Sequence, residues 1–395
     1  MEDGAEALIA ERIEGLLASN PPASTATEFW RAQFDHGLAW VRFPEGRGGL
    51  GVDARWQGVV DERLAAGGAP TSNRELNVVG LAMAAPTLVA HGSAALQERL
   101  LRPLFAAEEI WCQLFSEPGA GSDLAGLATR AVPDGDTWVV DGQKVWTTLA
   151  HRARWGLLLA RTDPDVPKHR GLTAFVVDMH ADGVEVRPLY ELTGEAEFNE
   201  VYLTGVRIPD ALRLGDVGGG WAVALTTLMN ERSGAGREVG GRGSGIIEPA
   251  MRLWREQGLT DPVRHDQLMQ HWVRAEVLRL TEIRAAEAGG RGEPGPEGSV
   301  AKLRWAELNQ AITEFTVDIL GSDGMDHPDG YEFRRPESSQ VSAGSPSKAY
   351  LRARANSIEG GTSQIMRTIL GERILRLPSE PRDDRSVPWR QIPRG

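Results

Sequence analysis

The sequence has a single cysteine, Cys112, and no run of apolar residues long enough to span a bilayer. One cysteine excludes a framework of intrachain disulfide bonds and fits a reducing compartment, so we expect a cytoplasmic protein. No basic and apolar targeting segment precedes the first helix-like stretch, residues 6–17. A net charge of −12 is unfavourable for binding nucleic acid or an anionic membrane. We therefore predict no nucleic-acid partner and no membrane insertion.

Several catalytic signatures are also missing. His265 and His271 are six residues apart and do not share a helix face, and no cysteine–histidine cluster exists, so we predict no metal site. No Gly-x-Ser-x-Gly elbow with partners for a catalytic triad is present. No GxGxxG segment lies in a strand–turn–helix unit. These absences disfavour hydrolases, metalloenzymes and Rossmann-type nucleotide binding.

The character of the chain changes along its length. Residues 1–112 are alanine-rich segments broken by proline and glycine, which indicates helices. Residues 113–218 contain short β-rich runs between turn residues, typical of a small sheet or barrel. Helical patterns return over 219–378, and residues 379–395 are predicted to form a tail outside the core. The sequence therefore predicts an α+β multidomain chain in the order helix, sheet, helix.

Three local patterns carry specific predictions. Within residues 138–146, Asp141-Gly142 favours a β-hairpin, because this dipeptide readily adopts the positive φ angles of a tight turn. Residues 378–395 hold four prolines and many charges, so they are expected to form a tail outside the core. Spacings of four, three and four residues predict one helix face for Leu308, Ile312, Phe315 and Ile319.

A glycine-containing loop and two glutamates are candidates for chemistry. The loop is Glu-Pro-Gly-Ala-Gly-Ser-Asp at 117–123, where backbone N–H groups could hold phosphate; an ordinary turn is the alternative. Glu231 is followed by Arg232, which by itself is typical of a solvated helix face. Glu359 precedes two glycines, where an acidic side chain favours a helix start.

Motif order identifies a family resemblance. Residues 112–123, Cys-Gln-Leu-Phe-Ser-Glu-Pro-Gly-Ala-Gly-Ser-Asp, resemble the signature segment of the acyl-CoA dehydrogenase family. Asp-Gly-Gln-Lys-Val-Trp-Thr-Thr at 141–148 and Ile-Glu-Gly-Gly-Thr-Ser-Gln-Ile at 358–365 follow in the family's order. The likeness covers residues 28–378. It implies an N-terminal helical domain, a central β-barrel-like domain and a C-terminal four-helix bundle.

The resemblance also implies a reaction and a cofactor. The reaction is α,β-dehydrogenation of an acyl-CoA, or acyl-carrier-protein, thioester to the trans-2-enoyl thioester, with β-hydride transfer to flavin N5. FAD would lie between the β domain, the C-terminal helices and a neighbouring subunit, in a homodimer or tetramer, with a heteromer also possible. Electrons would pass to an electron-transferring flavoprotein. Deletion from Pro378 onward is expected to leave the flavin content unchanged, since the predicted tail lies outside the core. Eight residues match the family's flavin contacts: Gln113, Phe115, Ser116, Ser122, Trp146, Thr148, Thr362 and Gln364.

The catalytic base departs from the family's common pattern. Many relatives carry Tyr-Glu-Gly-Thr, and alignment on Gly361-Thr362 places Gly360 where that glutamate stands. A minority, including the isovaleryl-CoA type, use the glutamate of a Glu-Arg pair on a C-terminal helix, which Glu231-Arg232 matches. We therefore predict Glu231 as the base and hold Glu359 as the alternative. The Gly360 backbone N–H is the predicted donor to the thioester carbonyl.

Two other functions stay open. A flavin oxidase or monooxygenase on the same fold would pass electrons to oxygen. A non-catalytic subunit of a heteromeric acyl-CoA dehydrogenase would keep the fold without the chemistry. The second is favoured by two altered segments, 260–266 and 318–324, where relatives carry Arg-x-x-Phe-Gly and Gln-x-x-Gly-Gly-x-Gly.

Overall fold

A computed structural model of the chain describes residues 2–19, 25–70, 73–233, 239–290, 297–327, 330, 332–339, 344–382, 384 and 386–393. The helices are α1 Glu2–Ser19, α2 Ala26–Asp35, α3 Trp56–Ala66, α4 Ala85–His91, α5 Ala94–Phe105, α6 Gly220–Ser233, α7 Glu248–Glu256, α8 Pro262–Gly290, α9 Glu297–Leu320, α10 Pro346–Ala353 and α11 Ser363–Ile369. The strands are β1 Trp111–Leu114, β2 Arg130–Asp134, β3 Thr137–Lys144, β4 Trp155–Arg161, β5 Leu172–Asp178, β6 Val184–Pro188, β7 Asn199–Pro209 and β8 Arg213–Leu214.

The N-terminal helices begin at clear local signals. Thr25 and Glu28 form a capping box at the start of α2, and the Ser93 side chain accepts the Leu96 N–H at the start of α5. The apolar faces of these helices are buried in one core that they share with part of the sheet. The helical character predicted for the first part of the chain is therefore present.

The central strands form one sheet in the order β6-β7-β3-β2-β4-β5-β8, with β1 parallel to β4. Strand β4 is buried along its whole length because its alternate residues face different cores. Leu157 and Leu159 pack toward the helices, whereas Leu158 and Ala160 pack into a second core within the β domain. Strand β1 ends at Leu114 and so fixes the start of the glycine loop at 117–123.

The prediction of a hairpin turn at Asp141-Gly142 is wrong. Gly142 lies inside β3, at a bulge in its antiparallel pairing with β7. The turn between β2 and β3 is at Gly135, which has φ 65°. A Cβ at Gly142 would approach the Thr129 hydroxyl to 2.3 Å, so glycine is required there for close packing and not for a turn.

The C-terminal helices enclose a third core. The four α9 residues predicted to share a face are all buried there, as are residues of α7 and α8. Helix α6 instead packs against α4 and β5, where the hydroxyls of Thr87 and Thr227 are buried and 2.9 Å apart. Helix α6 therefore connects the C-terminal bundle to the N-terminal domain.

The C-terminal segment differs from the predicted free tail. Residues 386–393 lie at the surface but run along the β domain, where the Trp389 N–H donates to the Val166 carbonyl at 2.9 Å. The segment is therefore a docked part of the fold.

Some features concern the whole described chain. Across the described residues, no helix is both long and apolar enough to cross a membrane. In the same residues, no group of three or more His, Cys, Asp or Glu side chains is placed to hold a metal ion. Cys112 is completely buried in β1, and this burial raises the pKa of its thiol.

Candidate active site

Glu231 lies near the end of α6, a helix held by polar contacts with the N-terminal domain. One turn before it, Thr227 shares a buried hydrogen bond with Thr87, and Thr226 lies 2.8 Å from His91 Nε2. Because these contacts join two helices, they fix the rotation of α6 about its axis. They therefore set the direction in which the Glu231 side chain leaves the helix.

A turn after α10 brings Gly360 opposite Glu231. Gly360 has φ 61°, and a Cβ built on it would lie 3.5 Å from Glu231 Oε1. Lys302 on α9 supports the turn by donating to the carbonyls of Asn356 at 2.9 Å and Gly361 at 2.6 Å. Within the described residues, no acceptor engages the Gly360 N–H. Glu231 Oε1 and the backbone of Gly360 therefore lie close together. The side chain of Arg232 lies outside the described part of the chain.

Lys302 is a site residue that the sequence did not reveal. Burial lowers the pKa of its ammonium, while the charges of Glu359 and Glu231 act in the opposite sense. The ammonium of Lys302 is thus close enough to interact electrostatically with both candidate carboxylates. In the sequence, Lys302 resembles any lysine of an amphipathic helix, so no local signal could have singled it out.

Glu359 is engaged in a structural ion pair. Arg352 donates to its two carboxylate oxygens at 3.1 and 2.9 Å, and the Asn356 side chain donates a further hydrogen bond at 2.8 Å. A bidentate arginine–carboxylate pair is strong and holds its geometry. Glu359 would have to give up these bonds to accept a proton, which disfavours it as a base.

Arg352 also faces two carboxylates from the β domain, the buried Glu197 and the half-buried Glu191. Its guanidinium lies 3.7 Å from Glu197, and its charge acts on Glu191. Burial raises the pKa of Glu197, and it raises the pKa of Glu191 to about 7, although Arg352 opposes both shifts. The Glu359 turn is thus tied electrostatically to the β domain.

The raised pKa of Glu191 predicts a pH-dependent stability. The folded-state pKa of about 7 lies above the ordinary value of 4.5, so the fold loses stability as the pH rises between those values. Glu191→Gln removes this loss of stability, because glutamine does not ionise. We expect the variant to melt about 2 °C above the wild type at pH 8, with a smaller difference at pH 5, by differential scanning calorimetry.

The exposed Glu185 provides the matched control for that measurement. Its pKa is lowered by a hydrogen bond from Arg187, so Glu185→Gln should not raise the melting temperature at pH 8. An equal gain for Glu191→Gln at pH 5 and pH 8 would show that titration of Glu191 is not the cause.

Trp146 is one of the residues predicted to lie beside the flavin. It has φ 60°, which costs a non-glycine residue about 1–3 kcal/mol, and its side chain is 58% exposed. Its ring contacts Phe198 edge-on at 5.9 Å, and Phe198 lies under Arg352. A backbone hydrogen bond of 2.9 Å from Val145 to Ser116 places the Trp146 turn beside the glycine loop. A strained and exposed tryptophan is expected where its ring serves a ligand.

Several buried polar atoms fit a bound cofactor. Gln113 Nε2, Thr147 Oγ1 and Ser363 Oγ are buried without a hydrogen-bond partner among the described residues. Such an atom costs about 1–3 kcal/mol unless a ligand or water satisfies it. Cβ atoms at Gly119 and Gly121 would meet only open space, so the loop backbone is accessible to a phosphate. Thr147 and Ser363 were not predicted, although each is adjacent to a predicted contact.

The remaining residues that match the family's flavin contacts differ in burial and in hydrogen bonding. The Phe115 ring is buried in the core, and its carbonyl accepts Lys144 Nζ at 3.0 Å. Thr362 caps α11 by accepting the Ile365 N–H. Ser122 and Gln364 are exposed, and Thr148 is half-buried. The flavin roles of all eight residues stay predictions.

The fold, with helical, β and helical domains in this order, is the one expected for a flavoprotein oxidoreductase. Models of three acyl-CoA dehydrogenase domains match consecutive parts of the chain: the N-terminal domain at 2–108, the middle domain at 112–206 and the C-terminal domain at 218–375. The chain therefore belongs to the acyl-CoA dehydrogenase family, oxidoreductases that act on acyl-CoA. This confirms the resemblance and the fold class predicted from the sequence.

Named relatives agree with this assignment. Acyl-CoA dehydrogenase IpdE1 of Mycobacterium tuberculosis is 37% identical over 348 residues, which cover 87% of this chain and 86% of IpdE1. Acyl-CoA dehydrogenase FadE34 of the same organism is 40% identical over 332 residues, covering 84% of this chain but 43% of FadE34. The chain thus spans less than half of FadE34. Among solved structures, the Tcur3481-Tcur3483 steroid ACAD is 26% identical with a TM-score of 0.72, covering 96% of this chain and 98% of that one.

Proposed function

We propose that this protein oxidises the Cα–Cβ bond of an acyl thioester, with Glu231 as the base that removes the α proton. The observation that carries the proposal is the position of Glu231 Oε1 beside Gly360, while Arg352 holds Glu359. Glu231 can take the proton at Oε1 while the Gly360 N–H donates to the thioester carbonyl, where negative charge develops. FAD, when bound, supplies the acceptor for the β hydride. The product is the trans-2-enoyl thioester.

We propose that FAD is held along the line from β1 to the Trp146 turn. The unpartnered Gln113 and Thr147 atoms and the open backbone of the glycine loop support this location. Ser116 and Ser122 would add hydroxyl groups from the same loop. Thr362 and Gln364 would approach from the C-terminal domain, at the first turn of α11.

We further propose that the protein works as an oligomer and favour a heteromer over a homodimer or tetramer. Helix α8 carries apolar side chains that are more than half exposed: Val263, Val273, Val277 and Leu280. The last three lie on one helix face, and an apolar stripe of this kind indicates an interface. More than half of FadE34 lies outside the segment that matches this chain. A second subunit could take the place of that additional part of FadE34.

The substrate and the electron acceptor are finer parts of the proposal. The likeness to a steroid ACAD favours a bulky polycyclic acyl group over a short chain. The carrier would be CoA, with acyl-carrier protein as the alternative. Electrons would pass to an electron-transferring flavoprotein in the cytoplasm.

Anaerobic titration with thioesters tests the function. The purified protein, with any subunit that copurifies, is expected to be yellow. Its flavin absorbance should be bleached by one or more thioesters from a panel of short, branched, long and steroid-type acyl groups. Slow reoxidation in air supports a dehydrogenase, whereas rapid reoxidation would indicate the oxidase. A colourless protein that takes up no FAD would contradict the proposal and indicate the non-catalytic subunit.

A further inference from the structure

The docked C-terminal segment, of which residues 384 and 386–393 are described, contacts the chain just after the glycine loop. The Trp389 indole Nε1 donates to the Gly126 carbonyl at 3.1 Å, and the Trp389 backbone N–H donates to Val166. Gly126 in turn donates its N–H to the Asp123 carbonyl at 2.9 Å. The segment is therefore joined by hydrogen bonds to the last residue of the loop at 117–123.

Trp389 also covers a buried arginine. Arg161 is 3% exposed, and its guanidinium donates to the carbonyls of Ala125 at 2.6 Å, Leu127 at 3.2 Å and Lys168 at 2.9 Å. The Arg161 guanidinium carbon lies 4.3 Å from the centre of the Trp389 ring. A cation over an aromatic face is stabilised, more so where water is excluded. The Arg161 guanidinium holds residues 125–127 through these hydrogen bonds. Loss of the Trp389 indole would expose this guanidinium to water.

Lys168 joins the segment to the loop directly. The Lys168 side chain is 4% exposed, and its Nζ donates to both carboxylate oxygens of Asp123 at 2.8 Å and to Asp384. Two carboxylates from distant parts of the chain thus share one buried ammonium. Ser122, the residue before Asp123, is one of the matched flavin contacts, so its position depends on this arrangement.

We propose that Trp389 and Asp384 are positioning residues for the flavin-binding loop. They hold Arg161 and Lys168 in place, and these two cations hold residues 122–127 in the geometry that FAD requires. The inference rests on the proposed role of that loop in binding FAD. It reverses the expectation from the sequence that deletion from Pro378 onward leaves the flavin content unchanged.

Two changes test the inference in the otherwise complete protein, purified with any subunit that copurifies. Trp389→Ala is expected to raise the FAD dissociation constant about tenfold, and deletion of residues 379–395 to raise it further, by fluorescence titration. Both should speed amide hydrogen exchange over residues 122–127, with or without added FAD. Trp389→Phe keeps an aromatic face over Arg161 and should restore most of the affinity.

Trp272→Ala is the matched control, because Arg242 lies 4.7 Å from the Trp272 ring in the helical domain. It removes the same kind of contact and should leave FAD affinity and exchange over 122–127 unchanged. A deletion variant that binds FAD as tightly as the wild type overturns the inference and leaves the proposed function intact. A wild type that binds no FAD overturns both.

Discussion

Glu231→Gln is expected to slow flavin reduction by a thioester substrate about 10³-fold while FAD content stays near that of the wild type. The amide keeps the size of the side chain but cannot accept the α proton, and a positioned general base contributes about 10²–10⁴-fold to such a step. The position of Glu231 Oε1 beside Gly360 is the reason for this expectation. Anaerobic stopped-flow absorbance of the flavin measures the rate directly.

Glu359→Gln is the matched comparison for this experiment. The change loosens the bidentate pair with Arg352, so we expect a lower melting temperature but a reduction rate within about tenfold of the wild type. Wild-type rates in Glu231→Gln together with a large loss in Glu359→Gln would show that Glu359 is the base.

Lys144→Met is expected to lower the free energy of unfolding by about 3–5 kcal/mol. Lys144 is completely buried and donates to Glu117 at 2.8 Å and to the carbonyls of Phe115 at 3.0 Å and Leu159 at 2.9 Å. Burial alone would raise the pKa of Glu117, but the Lys144 charge and several hydrogen bonds bring that pKa below its usual value. Loss of the ammonium leaves this carboxylate buried without its counter-charge. Urea denaturation followed by circular dichroism measures the change.

Two further variants show whether the buried pair is the cause. Lys144→Met combined with Glu117→Gln removes both charges and should recover part of the lost stability, because no uncompensated charge remains. Arg187→Met breaks an ion pair with Glu185 in which both side chains are more than half exposed, and should lower the free energy of unfolding by less than about 1 kcal/mol. If Lys144→Met were as stable as Arg187→Met, the buried pair would have no role in holding the glycine loop.

The family and fold could be predicted from the sequence because the motifs are long, local and ordered along the chain. The helix face of α9 followed from periodicity alone, since burial on a helix repeats with the turn. The position of Gly142 could not be predicted, because its need for glycine comes from Thr129, a residue on the approach to a different strand. Asp141-Gly142, a dipeptide that favours a turn, instead lies at a β-bulge.

Local sequence likewise could not distinguish the two candidate glutamates of the site. The sequence offered Glu231 and Glu359 as alternatives, and only folding brings Arg352 and Asn356 onto Glu359. The docked C-terminal segment was also hidden, since proline and charge are typical of a free tail. Its anchor is Arg161, which lies more than half the chain away from Trp389.

The burial of Cys112 has a practical consequence for spectroscopy. The thiolate is the form that reacts with maleimides, and this thiol is both inaccessible and held in its protonated form. A cysteine introduced at an exposed place, for example by Gln391→Cys, would then be the single reactive thiol of the folded chain. A fluorophore could be attached there without first removing the native cysteine, so motion of the C-terminal segment could be followed in real time.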